Sequence, residues 1–265
     1  MTDTTAGAPV AATSRLDLRP VAGHLGAEVH GFDPHALDDE TAEAIRTALA
    51  EHLVLFFPGL DTDAAGLREL GAAFGELQVH PYLDAVDGIP EVVELDTART
   101  ARADVWHTDA TFMTSPPVAS ILHMIECPDH GGDTMWIDAR ATHDALSVAM
   151  QDFLAGLTCI HDDGGQGDRR AEHPVVRVHP VTGRRILYVH RQFARRIPQL
   201  SRPESQALLA FLFRWQEQVK FSVRWRWTPG DVVMWDNRAT LHVLVDDTPH
   251  RRLLHRVTVL GDDPR

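Results

Sequence analysis

The sequence has few cysteines and almost no lysine. Only Cys127 and Cys159 occur among its 265 residues, and Lys220 is the single lysine among 25 basic residues. Two cysteines cannot form a disulfide framework or a cysteine-rich zinc site, so they favour reduced thiols in a cytoplasmic protein. With one lysine and no GxxxxGK[ST] motif, Schiff-base enzymes and phosphate-loop NTPases are poor candidates for this chain.

Long hydrophobic runs and a positive net charge are also absent. No stretch approaches the roughly 18 consecutive apolar residues that a membrane span needs. Residues 1–14 lack a basic region followed by an apolar core, which predicts a flexible N-terminal tail rather than a secretory signal. The formal net charge of −13 disfavours nucleic acid and anionic membranes as partners.

Short apolar runs with strand-like character recur from residue 91 onward. Turn signals such as Asp129-His130-Gly131-Gly132 separate these runs, a pattern typical of a β-sandwich or barrel rather than of a parallel βαβ sheet. We therefore predict a mainly β chain with flanking helices (α+β) that forms a single domain over residues 1–265. The predicted helices cover about 40–52, 62–74, 142–155 and 203–219.

The segment from Asp162 to Glu172, DDGGQGDRRAE, combines glycine with charged residues and has no large apolar side chain to bury. Such a composition predicts a surface loop. The alternative interpretation is a lid that closes over a binding site. Both interpretations treat the segment as irregular structure.

The strongest local motif is a histidine and a carboxylate two residues apart, His107 and Asp109. On an extended segment, side chains at this spacing lie on the same side, so the two groups can bind one metal ion. His242 follows a buried-looking strand and is the candidate third ligand. Two histidines and one carboxylate leave three coordination positions open, which suits non-haem Fe(II) oxygenases. Zinc more often takes a closed tetrahedron or three histidines.

A second candidate feature is a pair of arginines near the C-terminus, Arg252 and Arg256. In a strand they share one face with Leu254, so both could point inward beside His242. An inward arginine requires an anion, and its planar guanidinium matches a carboxylate or sulfonate in a bidentate way. The alternative is a solvated basic edge strand.

Five segments carry a further signal when they are taken together. They are WHTDATFMTSPPVASIL, GGDTMWID, HPVVRVHP, WRWTPGDVVMWDNRATLH and HRRLLHRVTVLGD. In this combination and order they resemble the landmarks of the taurine dioxygenase family of Fe(II)/2-oxoglutarate-dependent enzymes. The similarity runs from about residue 15 to 262 and is densest after residue 105.

The resemblance implies a double-stranded β-helix, a relative of the jelly roll, and a set of site residues. His107, Asp109 and His242 match the residues that bind the metal in the family. Thr134 matches the hydroxyl that hydrogen-bonds 2-oxoglutarate, and Arg252 matches the arginine that binds its distal carboxylate. The implied residues for the primary substrate are Arg256 for an anionic head, the pocket histidine His80, and Phe193 as an aromatic wall.

The activity implied by the resemblance is that of an Fe(II)- and 2-oxoglutarate-dependent dioxygenase, which consumes O2 and releases succinate and CO2. The first expectation for its small anionic substrate is a sulfonate such as taurine or a related alkylsulfonate. Leu83 and Ala103 replace a tyrosine and an asparagine of the taurine-oxidising members, which removes polar contacts to a substrate amine. We also expect a homo-oligomer, either a dimer or a tetramer.

Several alternatives remain open from the sequence. The same chemistry could act on an alkyl sulfate ester, a carboxylate or an intermediate of secondary metabolism. The same three ligands could instead hold zinc in a metallohydrolase. The last alternative is a binding protein with a jelly-roll fold and no catalytic activity.

Overall fold

Strands outnumber helices in this computed structural model. The described residues are 16–80, 83–100, 102–165, 167–261 and 263–264, and the predicted tail over 1–14 lies outside them. Within the described residues, no helix combines the length and the hydropathy needed to cross a bilayer. The helices are α1 Asp39–His52, α2 Ala64–Ala72, α3 Ala139–Asp144, α4 Val148–Leu154 and α5 Arg202–Gln216.

The strands are short and are distributed along the whole described chain. The first eight are β1 Asp17–Pro20, β2 Ala27–His30, β3 Val54–Phe57, β4 Ala85–Val86, β5 Ile89–Asp96, β6 Ala119–Glu126, β7 Thr134–Asp138 and β8 Thr158–Asp162. The others are β9 Arg170–Pro174, β10 Val176–Val178, β11 Arg185–Leu187, β12 Ala194–Arg196, β13 Ser222–Trp225, β14 Val232–Asp236, β15 Thr240–Leu244 and β16 Leu253–Val259.

Two sheets supply the side chains of one apolar core. The larger sheet has the strand order β1-β2-β3-β14-β6-β16-β5-β4, and the smaller one has the order β13-β7-β15. Phe56 and Trp235 of the larger sheet pack in the same cluster as Trp136 and Leu241 of the smaller sheet. Stacked sheets with their apolar faces together form a sandwich. The predicted mainly β jelly-roll architecture is confirmed.

Strand β3 explains why the larger sheet is apolar on both faces. Val54 and Phe56 point into the core between the sheets, whereas Leu55 and Phe57 point to the opposite side. On that opposite side they meet α1 and α2, whose apolar stripes include Ile45. Successive side chains of a strand alternate between faces, so a strand covered on both sides reads as a continuous apolar run.

The long helix predicted over 142–155 is wrong, because two shorter helices occupy this region. Asp138 caps α3 by accepting from the backbone N–H groups of Arg140 and Ala141. Ser147 then caps α4 by accepting from Met150 N–H. A serine that hydrogen-bonds the backbone in this way starts a new helix rather than continuing the previous one.

Most of the segment predicted as an irregular loop over 162–172 lies between two strands, and only Asp162 and residues 170–172 belong to the paired strands of a β-hairpin. Strands β8 and β9 pair in register, with Cys159 opposite His173 and Asp162 opposite Arg170. The connecting turn is ordered around Asp163, whose carboxylate accepts from Gly165 N–H at 3.2 Å. Of the charged residues in this segment, Asp162, Arg170 and Glu172 therefore lie in paired strands, whereas the others lie in the connection between them.

Candidate active site

Two of the predicted metal ligands are joined through their own backbones. His107 N–H donates to the carbonyl of His242 at 3.0 Å, and His242 N–H donates to the carbonyl of His107 at 2.7 Å. Strand β15 carries His242 and is itself paired along β7. This pairing brings the two imidazole rings to a centroid separation of 4.1 Å. Residues 135 positions apart in the sequence thus become direct neighbours.

The carboxylate of Asp109 completes the cluster. Its Oδ1 atom lies 3.7 Å from Nε2 of His107 and 3.7 Å from Nε2 of His242. The three residues offer ligand atoms that all lie within 4.8 Å of one another. Asp109 is part of a turn rather than of a regular strand. The next residue, Ala110, belongs to the same turn and has a φ of +49°. The predicted triad therefore comes together, although not through the extended segment that suggested it.

The protonation states of the cluster suit a divalent metal ion. Burial lowers the pKa of His107 below its ordinary value, and burial together with the neighbouring imidazole lowers the pKa of His242 to about 3. For Asp109, burial opposes ionisation, but the charges of His242 and Arg256 outweigh it and lower its pKa. Neutral imidazoles beside an ionised carboxylate are the donor set that metal binding requires.

A chain of hydrogen bonds orients this carboxylate. Ser120 Oγ donates to Oδ2 of Asp109 at 2.8 Å, and Asn237 Nδ2 donates to Ser120 Oγ at 2.7 Å. Trp235 Nε1 donates to Oδ1 of Asn237 at 2.8 Å, and its ring lies 4.9 Å from the His242 ring. With Oδ2 engaged by Ser120, Oδ1 is the oxygen that faces both imidazoles. Sequence analysis did not identify Ser120, because nothing in the motif marks its contact with Asp109.

On one side of the triad, Thr134 and Arg252 form a buried polar pair. Arg252 is 5% exposed, and its Nη2 lies 3.4 Å from Thr134 Oγ1. Trp227 Nε1 donates to the same hydroxyl at 2.9 Å. Because both neighbours donate to Thr134 Oγ1, its own O–H is available to donate to an incoming anion. Trp227 was missed as a site residue, although it lies in one of the family-like segments.

Arg252 itself is poised for an anion. Burial lowers the pKa of its guanidinium to about 10, and Nε has no hydrogen-bond partner among the described residues. Its side chain passes close to Gly132, which has a φ of +69° and where a Cβ atom would lie 2.8 Å from Arg252 Cδ. Glycine at 132 therefore permits both the backbone conformation and the approach of this arginine.

On the other side of the triad, Arg256 lies 3.9 Å from Oδ1 of Asp109 through its Nη1 atom. His80 is within electrostatic reach, since burial first and then the charge of Arg256 lower the pKa of its imidazole. Nδ1 of His80 accepts from the N–H of Leu83 at 3.1 Å. The neutral ring thus carries its proton on Nε2 and can act as a donor.

A cavity of about 340 Å³ connects these groups. Both histidines of the triad and both predicted arginines line it, and no aspartate or glutamate is among its described lining residues. Arg102 adds a third cation, which pairs with Asp246 and donates to the carbonyl of Thr248. The remaining lining is mostly apolar and includes five leucines: Leu83, Leu95, Leu122, Leu244 and Leu254.

Two predicted substrate residues lie outside that described lining. His80 is near the cavity only in the electrostatic sense given above. Phe193 packs edge-to-face on Phe112 with ring centroids 5.1 Å apart, and on His190 at 5.5 Å. The structure therefore brings the triad, Thr134 and both arginines together around one cavity, while the aromatic wall at Phe193 stays a prediction.

Comparisons with known proteins identify the family. The family model described as "Taurine catabolism dioxygenase TauD, TfdA family" matches residues 17–258. The chain belongs to this family. The predicted resemblance is thereby confirmed over almost the whole described chain.

Individual members of the family are similar over nearly the full length of the chain. The alpha-ketoglutarate-dependent sulfate ester dioxygenase of Pseudomonas putida is 38% identical over 94% of this chain and 91% of its own. The alkylsulfatase of Acinetobacter baylyi is 37% identical over 94% and 86%, respectively. The crystal structure of a taurine dioxygenase from Burkholderia xenovorans superposes with a TM-score of 0.87, with 38% identity over 94% of this chain and 90% of that one.

These findings confirm the predicted enzyme class. The chain is a 2-oxoglutarate-dependent dioxygenase, an oxidoreductase whose cofactor and cosubstrates are Fe(II), 2-oxoglutarate and O2. The donor set of the triad fits a ferrous ion, and the buried Arg252 with its unpartnered Nε fits a carboxylate. The choice among anionic substrates is a separate question.

The buried imidazoles predict how stability depends on pH. Burial lowers the pKa of His161 and of His242 to about 3, whereas both titrate near 6.5 in the unfolded chain. Between these values the unfolded state binds more protons, so lowering the pH reduces the free energy of unfolding by roughly 1.4 kcal/mol per pH unit for each residue. Urea unfolding of the metal-free chain between pH 7 and 4.5 should show this decline.

The matched control for this decline is His161→Gln, which removes one of the two groups. We expect the slope of stability against pH to become shallower by about 1.4 kcal/mol per unit in this variant. Both chains contain the same carboxylates, so the difference between the two slopes isolates the contribution of the His161 imidazole. A stability that stays constant over this range would contradict the prediction.

Proposed function

We propose that the enzyme hydroxylates the carbon next to the sulfate group of an alkyl sulfate ester. The observation that carries this proposal is the cavity itself, which is lined by both histidines of the triad, by Arg252 and Arg256, and by five leucines. One arginine serves the cosubstrate and the other serves the substrate, because each turnover needs two anions at one metal. An apolar tail then fits the leucines.

His107, Asp109 and His242 are proposed to hold the iron. When bound, the ferrous ion activates O2 and supplies the oxidation of an unreactive C–H bond, with 2-oxoglutarate converted to succinate and CO2. The contribution of the chain is placement, because Ser120 fixes the orientation of the Asp109 carboxylate and the backbone pairing fixes the two imidazoles. Three ligands leave room for the cosubstrate and O2.

Arg252 and Thr134 are proposed to bind 2-oxoglutarate. The guanidinium can engage the distal carboxylate in a bidentate pair, and the Thr134 hydroxyl can donate to it because Trp227 and Arg252 already occupy its acceptor capacity. A bound carboxylate would also pair with the buried guanidinium. This pairing offsets the free-energy cost of desolvating Arg252, the same burial that lowers its pKa. Water is excluded from the pair, since Arg252 and Thr134 are each 5% exposed.

Arg256 and His80 are proposed to bind the sulfate group. Arg256 is a cationic hydrogen-bond donor and His80 is a neutral one. The two are close enough for the charge of Arg256 to lower the pKa of His80. Hydroxylation of the carbon that bears the sulfate oxygen gives an unstable adduct. Its C–O bond breaks, the hydroxyl proton is released, and the products are an aldehyde and inorganic sulfate.

The charges around the cavity support an alkyl sulfate over taurine. Taurine carries an ammonium group, and no carboxylate of the described lining stands ready to pair with it. Arg102 would instead repel it. The names of two relatives, a sulfate ester dioxygenase and an alkylsulfatase, support the same choice. An alkylsulfonate is the second candidate, because the similar crystal structure from Burkholderia xenovorans is of a taurine dioxygenase.

A matched substrate panel tests the proposal. The panel consists of hexyl sulfate, hexanesulfonate, hexanoate and taurine, all measured in the same assay. The first three differ in their anionic head group, and taurine differs by carrying an ammonium group in place of an apolar tail. We expect hexyl sulfate to give equal amounts of succinate, hexanal and inorganic sulfate with matching O2 uptake. Turnover of taurine or hexanoate in preference to hexyl sulfate would contradict the proposal, and preference for hexanesulfonate would favour the second candidate.

Arg256→Gln should weaken primary-substrate binding selectively. Loss of a charged hydrogen-bonding partner costs about 1.5–3 kcal/mol, which corresponds to a rise in substrate KM of roughly 10- to 150-fold. Slow decay of 2-oxoglutarate without product formation should persist, because Arg252 is unchanged. Steady-state kinetics with each substrate varied in turn measures both effects.

The control for this variant is Arg251→Gln, which removes the same charge from a residue that pairs with Asp96 and Glu126 instead of lining the cavity. We expect its KM to stay close to that of the wild type. If Arg256→Gln raised the KM for 2-oxoglutarate as much as that for the substrate, the two arginines would be misassigned.

We also propose a single domain, since the family match runs from residue 17 to residue 258. A cytoplasmic location, a homo-oligomer of two or four chains, and the lack of nucleic-acid and membrane partners stay predictions. The acidic net charge of −13 supports the last of these. Light scattering coupled to size-exclusion chromatography measures the oligomeric state directly.

A further inference from the structure

A cluster of buried histidines surrounds Thr111, two residues after Asp109. Thr111 and His161 are 0% exposed, His190 is 1% exposed and His173 is 2% exposed. These histidines come from β8, β9 and the segment after β11, so distant parts of the chain converge on one threonine. None of the three offers a ligand atom to the triad.

The hydroxyl of Thr111 lies between two imidazoles. Its Oγ1 is 2.8 Å from Nδ1 of His161 and 2.8 Å from Nε2 of His190. A hydroxyl has one proton, so it donates to one ring and accepts from the other. The side chain of Thr111 is therefore fixed from two directions.

The backbone of the same residue is also held. Nε2 of His173 lies 2.8 Å from the carbonyl oxygen of Thr111 and 3.0 Å from that of Met113. Because both partners are acceptors, this nitrogen carries the proton and donates to them. Burial lowers the pKa of His173, as it does for the other two histidines, so all three rings are neutral near pH 7.

The residue between Asp109 and Thr111 adopts an unfavourable backbone conformation. Ala110 has a φ of +49°, and within the described chain only one other non-glycine residue, Leu53, has a positive φ. An L-residue in this region brings its Cβ close to the following carbonyl oxygen. Such conformations persist only where the surrounding structure enforces them. The constraint on the far side of Ala110 is the anchored Thr111.

We propose that Thr111 is a positioning residue for the metal ligand Asp109, held by His161, His173 and His190 so that the turn at Ala110 presents the carboxylate to the two ligand imidazoles. The proposal rests on the proposed metal role of the triad. Ser120 orients the carboxylate through Oδ2, whereas Thr111 fixes the backbone from which the side chain extends. The two constraints act on different parts of one ligand.

Thr111→Val tests the proposal, because valine keeps the shape and removes both hydroxyl contacts. Mn(II) affinity of the metal-free full-length chain can be measured by the EPR signal of free Mn(II), without any turnover. We expect affinity to fall roughly tenfold, the lower end of the range for residues that support metal ligands. Thr111→Ser keeps the hydroxyl and should bind Mn(II) within about twofold of the wild type.

The control is Thr142→Val, which also removes a fully buried hydroxyl but one that donates to Ala139 away from the site. Each variant is measured well below its own melting temperature, so that a general loss of stability does not lower the affinity. Wild-type affinity in Thr111→Val, or an equal loss in Thr142→Val, would overturn the proposal. If Thr111→Val does not fold, His161→Gln replaces it and should weaken Mn(II) binding while Thr142→Val does not.

A second variant probes the strained turn. Glycine adopts a positive φ without the steric cost, so Ala110→Gly on the Thr111→Val background should recover about threefold of the lost affinity. No recovery would contradict the role of the turn. A failure of the proposed metal role of the triad can be distinguished from a failure of this inference. If the triad does not bind the metal, the single variant His107→Ala will bind Mn(II) as tightly as the wild type.

Discussion

Alanine in place of His107 or Asp109 is expected to reduce succinate formation to the detection limit. Each change removes one of three ligand atoms that lie within 4.8 Å of one another. The remaining pair cannot hold a ferrous ion firmly, and the described residues contain no second group of three metal-ligating side chains. The fold should survive, because the backbone hydrogen bonds between residues 107 and 242 do not need the side chains.

Three measurements check this expectation together: succinate formation, O2 uptake and bound iron. His123→Ala is a suitable control, since His123 is a buried histidine of the larger sheet that does not line the cavity. Circular dichroism confirms that the variants are folded. Full turnover in both triad variants would contradict the assignment of these residues as metal ligands.

Arg252→Gln is expected to raise the 2-oxoglutarate requirement by roughly 30- to 1,000-fold. Truncating one partner of a buried charge pair costs about 2–4 kcal/mol, and each 1.4 kcal/mol is a factor of ten. The cost is large here because Arg252 is buried and the distal carboxylate would be left without a counter-charge. Succinate formation at varied 2-oxoglutarate concentration gives the shift.

Trp227→Phe tests the positioning of the Thr134 hydroxyl without changing the charge of Arg252. It removes the donor to Thr134 but keeps a ring, so a smaller rise in the 2-oxoglutarate requirement, of about three- to tenfold, is expected. Arg251→Gln again serves as the charge control. An unchanged requirement in Arg252→Gln would remove this residue from the cosubstrate site.

The sequence predicts the strand framework well, because alternation and apolar runs follow directly from strand geometry. The run from 53 to 57 reads as a buried strand, and β3 is covered on both faces by the core and by two helices. The spacing of Arg252 and Arg256 also predicts that both point to one side, although only Arg256 lies within β16 and Arg252 immediately precedes it. Both residues line the cavity.

Features that depend on long-range contacts are not visible in the sequence. Ser120 and Trp227 act on site residues through hydrogen bonds that only the sheet pairing creates. The turn at Ala110 is equally hidden, because alanine carries no signal for a positive φ. No motif in the sequence marks His161, His173 and His190 as neighbours, and only the structure shows that all three contact Thr111.

The segment that connects β8 and β9 shows how far amino-acid composition predicts local structure. Its glycines lie in the connection between the strands, as the composition predicts, whereas the charged residues Arg170 and Glu172 belong to a paired strand. The described residues 163–165 and 167–169 lie between the two strands and belong to neither. Composition alone cannot separate an exposed strand from a surface loop when the strand has one wet face.

The reciprocal backbone bonds between residues 107 and 242 also affect how the enzyme is reactivated. The main chain that carries both imidazoles is held by these two bonds and by the pairing of β15 with β7, none of which involves a metal atom. Iron that is lost or oxidised during turnover could therefore be replaced without refolding of the sheet. We expect aged enzyme to regain activity when ferrous salt and a reductant are added, with no denaturation and refolding cycle.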